Sequence, residues 1–208
     1  MLHNLPFDTC SLQADTVQAL EDTYAALRAK FNVSVPNDIN LHIDEFETIN
    51  ANPDISLGGI LQINNTVNEL YLAFIKIHEH YHNVRSVTDV DFYVYKVWAF
   101  IKMKSDFGRV LIRKETFTDR IVSLIHHVEL DFNDDKEFNK RFYVITNDDQ
   151  KAHLAMNWNF RNAIMDMAND MEMEALDHML IISNNQPIDT EQTIHLAEFA
   201  SKIAALRS

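Results

Sequence analysis

The sequence predicts an α+β domain: a mainly antiparallel sheet with amphipathic helices at both termini and one helix near 159–169. Three observations predict it. Apolar residues recur at steps of three and four near each end of the chain. The middle is dense in β-branched and aromatic residues, in short runs separated by turn residues. No Pro-, Gly- or Ser-rich linker, internal repeat or low-complexity tract divides the 208 residues, so 1–208 is expected to be one soluble domain. A chain of this length buries about 70% of its unfolded surface, enough for a core without disulfides or structural metals.

The first element is a helix over about 11–31, where Val17, Leu20, Tyr24, Leu27 and Phe31 form a stripe. Asp8, Thr9 or Ser11 can cap it, and Pro36 follows its end. A sheet-rich core is expected over about 40–183. Residues 66–83 fit two patterns: Val67, Leu70, Tyr71, Phe74, Ile77 and Tyr81 suit a helix, whereas Ala73, Ile75, Ile77 and Tyr81 suit one face of a strand. Residues 91–104 read as a strand. The turn Ser105-Asp106-Phe107-Gly108 and the returning run 109–114 complete a predicted hairpin. Its outer face is expected to carry Lys102, Lys104, Arg109, Arg113 and Lys114 as a solvated basic strip or protected edge. Residues 119–132 and 138–146 form a further predicted strand pair, and residues 148–153 a short helix. Residues 171–183 are either a second hairpin turning at Asp177-His178 or a continuation of the helix near 159. The last element is a helix over about 190–207, with Asp189 as N-cap, Gln192 three residues on, and a stripe of Leu196, Phe199, Ile203 and Leu206.

Composition removes several functions. The formal charge of −13 argues against a dedicated nucleic-acid binder, since neutralising phosphates needs clustered Lys and Arg. It argues equally against docking on an anionic membrane. No apolar run is long enough to insert into a bilayer, and the longest, residues 70–77, contains Lys76. The single Cys10 forms no internal disulfide, and the N-terminus lacks the basic start and apolar run of a signal peptide. Both suit a cytoplasmic location. With only three glycines, GxGxxG and Walker-type phosphate loops are ruled out.

The motif with most chemistry is His78-Glu79-His80-Tyr81-His82, which satisfies H-E-x-x-H. On a helix, His78 and His82 would bind zinc and Glu79 would act as base on the metal-bound water. On a strand, His78, His80 and His82 would share a face instead. The extended metzincin pattern is broken, because Arg85 and Thr88 stand where Gly and His are needed. A gluzincin-like third ligand could come from the acidic stretch holding Asp170, Glu172 and Glu174, although nothing in the sequence places it there. Asp106-Phe107-Gly108 copies the kinase magnesium tripeptide but has no accompanying kinase motif, so a turn explains it. His126-His127 sits in an apolar run, and neighbours on a strand point to opposite faces. Cys10 is a lone thiol beside a helix start. Six methionines between Met156 and Met179 suit either core filling or an adaptable binding surface.

Residues 138–183 carry a further signal. The run Glu137-Phe138-Asn139-Lys140-Arg141-Phe142-Tyr143-Val144, then Asp148-Asp149-Gln150 with Ala152, a helix containing Phe160 and the Met179-Leu180-Ile181-Ile182 strand resemble a bacterial family of uncharacterised α+β domains, sometimes mislabelled galanin-like. The upstream run ending in Phe107-Gly108-Arg109-Val110-Leu111-Ile112-Arg113 looks like that family's sheet, and the likeness spans about 70–183. The resemblance implies a sheet-rich fold and the strand form of residues 70–82, and brings no catalytic residues. It also implies an N-terminal membrane hairpin, which an amphipathic helix replaces here.

The expectation is a non-enzymatic protein-interaction module without a cofactor. It would be an acidic adaptor or chaperone-like subunit of a larger bacterial assembly such as secretion machinery, binding other protein subunits through Leu196, Phe199, Ile203 and Leu206. The alternative is a zinc-dependent hydrolase built on His78, His82 and Glu79.

Overall fold

The computed structural model describes residues 5–52, 54–83, 88–114, 128–168 and 170–207; the side chains of 80–83 and 88–91 lie outside that description. Among the described residues, six α-helices and nine strands make an α+β arrangement. After α1 (Ala14–Lys30) come β1 (Val33–Ser34), a 3-10 turn at Ile43–Glu45 and the short α2 (Glu47–Asn50). Three long strands follow: β2 (Ile55–Ile63), β3 (Glu69–Asn83) and β4 (Thr88–Lys102). Then come β5 (Arg109–Lys114), β6 (Val128–Glu129), α3 (Lys136–Asn139), β7 (Phe142–Thr146), α4 (Asp149–Ala155) and α5 (Trp158–Ile164). A tight hairpin, β8 (Glu172–Leu176) and β9 (Met179–Ser183), precedes the closing α6 (Thr190–Ala204).

All nine strands join one sheet in the order β1-β2-β3-β4-β9-β8-β5-β7-β6, and every pairing is antiparallel. The period-2 alternation of side chains splits the core into two layers. On one face Leu72 and Phe74 of β3, Val97 and Ala99 of β4, Ile182 of β9 and Val110 of β5 pack under α1 and α6. On the other, Tyr71, Ala73 and Ile75 of β3, with Trp98 and Phe100 of β4, meet Leu41, Phe46 and Ile49 from the segment around α2. The two terminal helices pack on each other, and α6 packs on β3, β4 and β9. Thr23 and Thr190 meet at that junction, their hydroxyls 3.1 Å apart.

Residues 69–83 are a strand, and so are both halves of 171–183. The expected hairpin of 91–104 with 109–114 is corrected: β4 pairs with β9, β5 pairs with β8, and the β8–β9 hairpin is wedged between them. The segment read as a tight turn instead crosses the end of that wedge. Met103 N donates to His178 O, Phe107 N to Asp177 O, and Asp177 N to Gly108 O. Asp106 accepts from Gly108 N, and Gly108 has a φ of +64°, a left-handed conformation that glycine adopts without steric cost. The kinase-like tripeptide is therefore a backbone crossing. Of the expected strand pair 119–132 with 138–146, the described part is β6 pairing with β7 at Val128↔Thr146 and Glu129↔Ile145; residues 119–127, His126 and His127 among them, lie outside the described residues.

The basic strip also dissolves into pairs. Arg109 reaches Glu174 at 2.8 Å and Glu47 at 3.6 Å, Arg113 lies 3.4 Å from Glu172, Lys114 sits 5.9 Å from the Phe142 ring centroid, and Lys102 and Lys104 are exposed, Lys102 3.9 Å from Glu69. Glu174 is almost fully buried and also accepts the backbone N–H groups of Glu47 and Thr48, so it pins the start of α2 to the sheet. Met156, Met167, Met171 and Met173 are buried, which makes the methionine cluster core.

Gly58 and Gly59 interrupt β2 at a register shift between Leu57 and Gly59. A Cβ at Gly58 would strike the ring of Tyr95, and one at Gly59 would meet Pro6 O at 2.6 Å. Their bare backbone admits the N-terminal segment, where Asp8 N donates to Gly58 O and Tyr95 donates to Asp8 O at 2.5 Å. Lys76, buried in the sheet, donates to Asp8 at 2.8 Å and to Cys10 O at 2.6 Å. The Lys76 hydrogen bond, then that from Cys10 N, hold the Asp8 carboxyl below its ordinary range.

Candidate interaction site

The helix expected to dock a partner is in place, but its expected face is not free. Asp189 caps α6 by accepting from Gln192 N at 2.9 Å. Leu196, Phe199 and Ile203 are buried and Leu206 packs against the same core, so that stripe holds the chain's own sheet. The stripe sequence reasoning selected is thus corrected from docking surface to core: an amphipathic helix at a chain end buries its apolar face locally when a sheet face lies within reach.

The flank of the same helix borders a concave surface. Gln192, His195, Glu198, Phe199 and Lys202 of α6 line an open pocket of about 510 Å³ with Asp166, Ala168, Asp170, Met171 and Asn184, whose amide donates to Gln192 at 3.0 Å. The floor is apolar, from Phe199 and Met171; the rim is charged. Asp166 receives a 2.6 Å hydrogen bond from Lys202, which holds its carboxyl below the ordinary range. Glu198 meets Lys30 of α1 at 2.5 Å and is lowered in the same way. His195 Nδ1 lies 3.7 Å from Glu198 and its Nε2 3.9 Å from Glu191. Three carboxylates and one lysine therefore surround an apolar floor, a field suited to cationic groups.

Of the stripe expected from sequence, only Phe199 reaches this pocket. Asp166, Gln192 and His195 were missed. The signal available was the spacing of Gln192, His195, Phe199 and Lys202, three or four apart along one flank of the predicted helix. The acidic stretch divides between faces: Asp170 lines the pocket, whereas Glu172 and Glu174 pair with Arg113 and Arg109 on the sheet.

The helical zinc site is not formed. Because β3 is extended, His78 and Glu79 belong to opposite faces, and the Cα atoms of His78 and His82 are roughly 13 Å apart at 3.3 Å per residue. His78 stacks on Tyr93 with ring centroids 4.6 Å apart. A base on the same helical turn as two ligands, the premise of the H-E-x-x-H mechanism, has no counterpart here. Cys10 is exposed, and its backbone N–H donates to Asp8 at 2.9 Å. No described helix is long and apolar enough to cross a membrane.

No protein-family model matches the chain. No curated protein matches it either. Among solved structures, the fold is similar to that of the mycobacterial trehalose monomycolate transport factor A, TtfA, with a TM-score of 0.54 over 89% of this chain and 92% of that one. At 7% identity, what the two share is the fold.

Proposed function

We propose that this chain is a non-enzymatic interaction subunit, an acidic adaptor or chaperone-like part of a larger bacterial assembly of the transport or secretion kind, acting in the cytoplasm. It docks a basic amphipathic segment of a partner protein in the pocket beside α6. The observation that carries the reading is the apolar floor of Phe199 and Met171 under a rim of Asp166, Asp170 and Glu198. Such a surface takes an apolar anchor while selecting positive flanking charge. The net charge of −13 acts in the same direction, raising the encounter rate with basic partners at low salt. The likeness to a transport factor is compatible with a scaffold or adaptor part in transport.

A photo-reactive residue placed at His195 tests this in the native cells, with the same residue at exposed Leu154, on α4 and outside the pocket lining, as control. The expected result is one stoichiometric adduct from position 195, mapped to a Lys- or Arg-flanked apolar segment and lost when Asp170→Lys and Glu198→Lys are added. Equal labelling from both positions, or an adduct that survives the charge reversals, overturns the reading.

A further inference from the structure

The pocket beside α6 is partly served by the chain's own cations. Of its three lining carboxylates, Asp166 accepts from Lys202 at 2.6 Å and Glu198 meets Lys30 at 2.5 Å. Each is a one-to-one pair of an ammonium and a carboxylate. Asp170, the third, is exposed in the turn that enters β8, where Met171 N donates to Ala168 O at 3.2 Å. Among the described residues, no hydrogen bond or ion pair reaches its carboxylate.

Charge balance then limits what the pocket takes. Three carboxylates and two lysines leave one negative charge over the floor of Phe199 and Met171. A polybasic stretch would exchange its own ammonium groups for Lys202 and Lys30 with no gain in pairing, since one exposed pair is worth about as much as another. Asp170 alone offers a new pair. A single cation on an alkyl stem uses both features, laying its stem on the apolar floor and its charge at the rim, as long charged side chains do on apolar surfaces. A volume of about 510 Å³ is ample for such a group.

We propose that this pocket reads one alkyl cation, the side chain of a single lysine or arginine, with its stem on Phe199 and Met171 and its charge at Asp170. The inference rests on the docking role proposed above, and it names the element of the partner that is recognised and the rim residue that recognises it. Lys202 is the counterpart of Asp170: by holding Asp166 it keeps the site to one cation. His195 also borders the pocket, 3.7 Å from Glu198 and 3.9 Å from Glu191, and a charge on its ring would cancel the remaining negative charge.

Titration of the full chain with n-butylammonium tests the site, followed by NMR of the Met171 methyl and the Phe199 ring. It is run at pH 8 and fixed ionic strength, so that imidazole charge stays out of the balance. The uncharged and anionic probes are n-butanol and n-butyrate. The expected result is saturable shifts at both residues with a dissociation constant on the order of millimolar, as so few atoms allow. Butanol should bind about tenfold more weakly, and butyrate should leave both signals in place. Asp170→Asn should reduce butylammonium to the butanol level, again about tenfold, whereas Lys202→Gln, which releases Asp166, should strengthen it. Amide spectra of both variants check their fold. Equal binding of butylammonium and butanol, an affinity that Asp170→Asn leaves unchanged, weaker binding by Lys202→Gln, or shifts confined to other residues overturns the proposal. Its failure is separable from failure of the docking role. An adduct from position 195 that meets its expectation beside a failed titration keeps the partner and removes the single-cation account, and a saturable titration beside a failed adduct does the reverse.

Discussion

β3 and β4 run side by side for fifteen residues each, yet their two ends live in different environments. In the inner rows every β3 residue from Leu70 to Lys76 is buried, as are all β4 residues from Tyr95 to Ile101. At the outer end His78 and Glu79 are already partly exposed, and no other described strand flanks the pair. The hydrogen-bond ladder is the same throughout. Burial here is set by what lies beside and above a strand, since pairing with one neighbour alone hides little side-chain surface.

The largest test of that contrast is a pair of truncations. Trp98→Ala, in the fully buried inner rows under Phe46 and Ile49, should cost about 3–5 kcal/mol. Phe92→Ala, opposite Glu79 at the partly exposed outer end, should cost under about 1 kcal/mol. Urea unfolding of both variants measures it, and equal losses would break the distinction between the two ends. A smaller effect sharpens where the buried region ends. Gly58→Ala drives a methyl into the Tyr95 ring and should cost about 1–3 kcal/mol through overpacking. Gly58→Ala/Tyr95→Ala should recover part of that loss if the clash is its source.

The smallest effect appears only in alkali. Burial, then the hydrogen bond to Glu69 and its charge, pushes the Tyr71 phenol up to about 12. Tyr95 moves in the same direction, through burial first and then the charges of Asp8 and Cys10. A raised phenol keeps its full stabilising contribution below the unfolded value of about 10 and loses it as the pH climbs through the folded value. Stability should therefore fall between about pH 10 and 12, and Tyr71→Phe should flatten the slope there. Urea midpoints at pH 7 and pH 11 read the difference, and an unchanged slope would refute the assignment to Tyr71.

The elements with strong local signals were legible: the stripes of α1 and α6 and the Asp189 cap. Residues 66–83 stayed ambiguous because aromatic and β-branched residues satisfied both periods at once; the pairing partners that resolve residues 69–83 are 5–33 residues away in the chain. The false hairpin of 91–114 had every local mark of a turn, and nothing near Ser105 encodes that residues 172–183 slot between its strands. The docking stripe failed for a related reason: periodicity reports that a helix has an apolar face, and only the tertiary fold reports what covers it. The pocket beside α6 joins residues 166–171 to residues 184–202, a juxtaposition no single window of sequence contains.

The wedge between β4 and β5 also imposes an order in time. As the chain leaves the ribosome, β4 and β5 emerge with the edges meant for each other's neighbourhood unsatisfied, and they stay so until residues 172–183 are made. The covering helix α6 comes later still, at the very end of the described chain. Synthesis therefore holds open two strand edges and an apolar sheet face until residues 172–204 are made. Those are the surfaces on which nascent chains pair wrongly with one another, and on which holdase chaperones act.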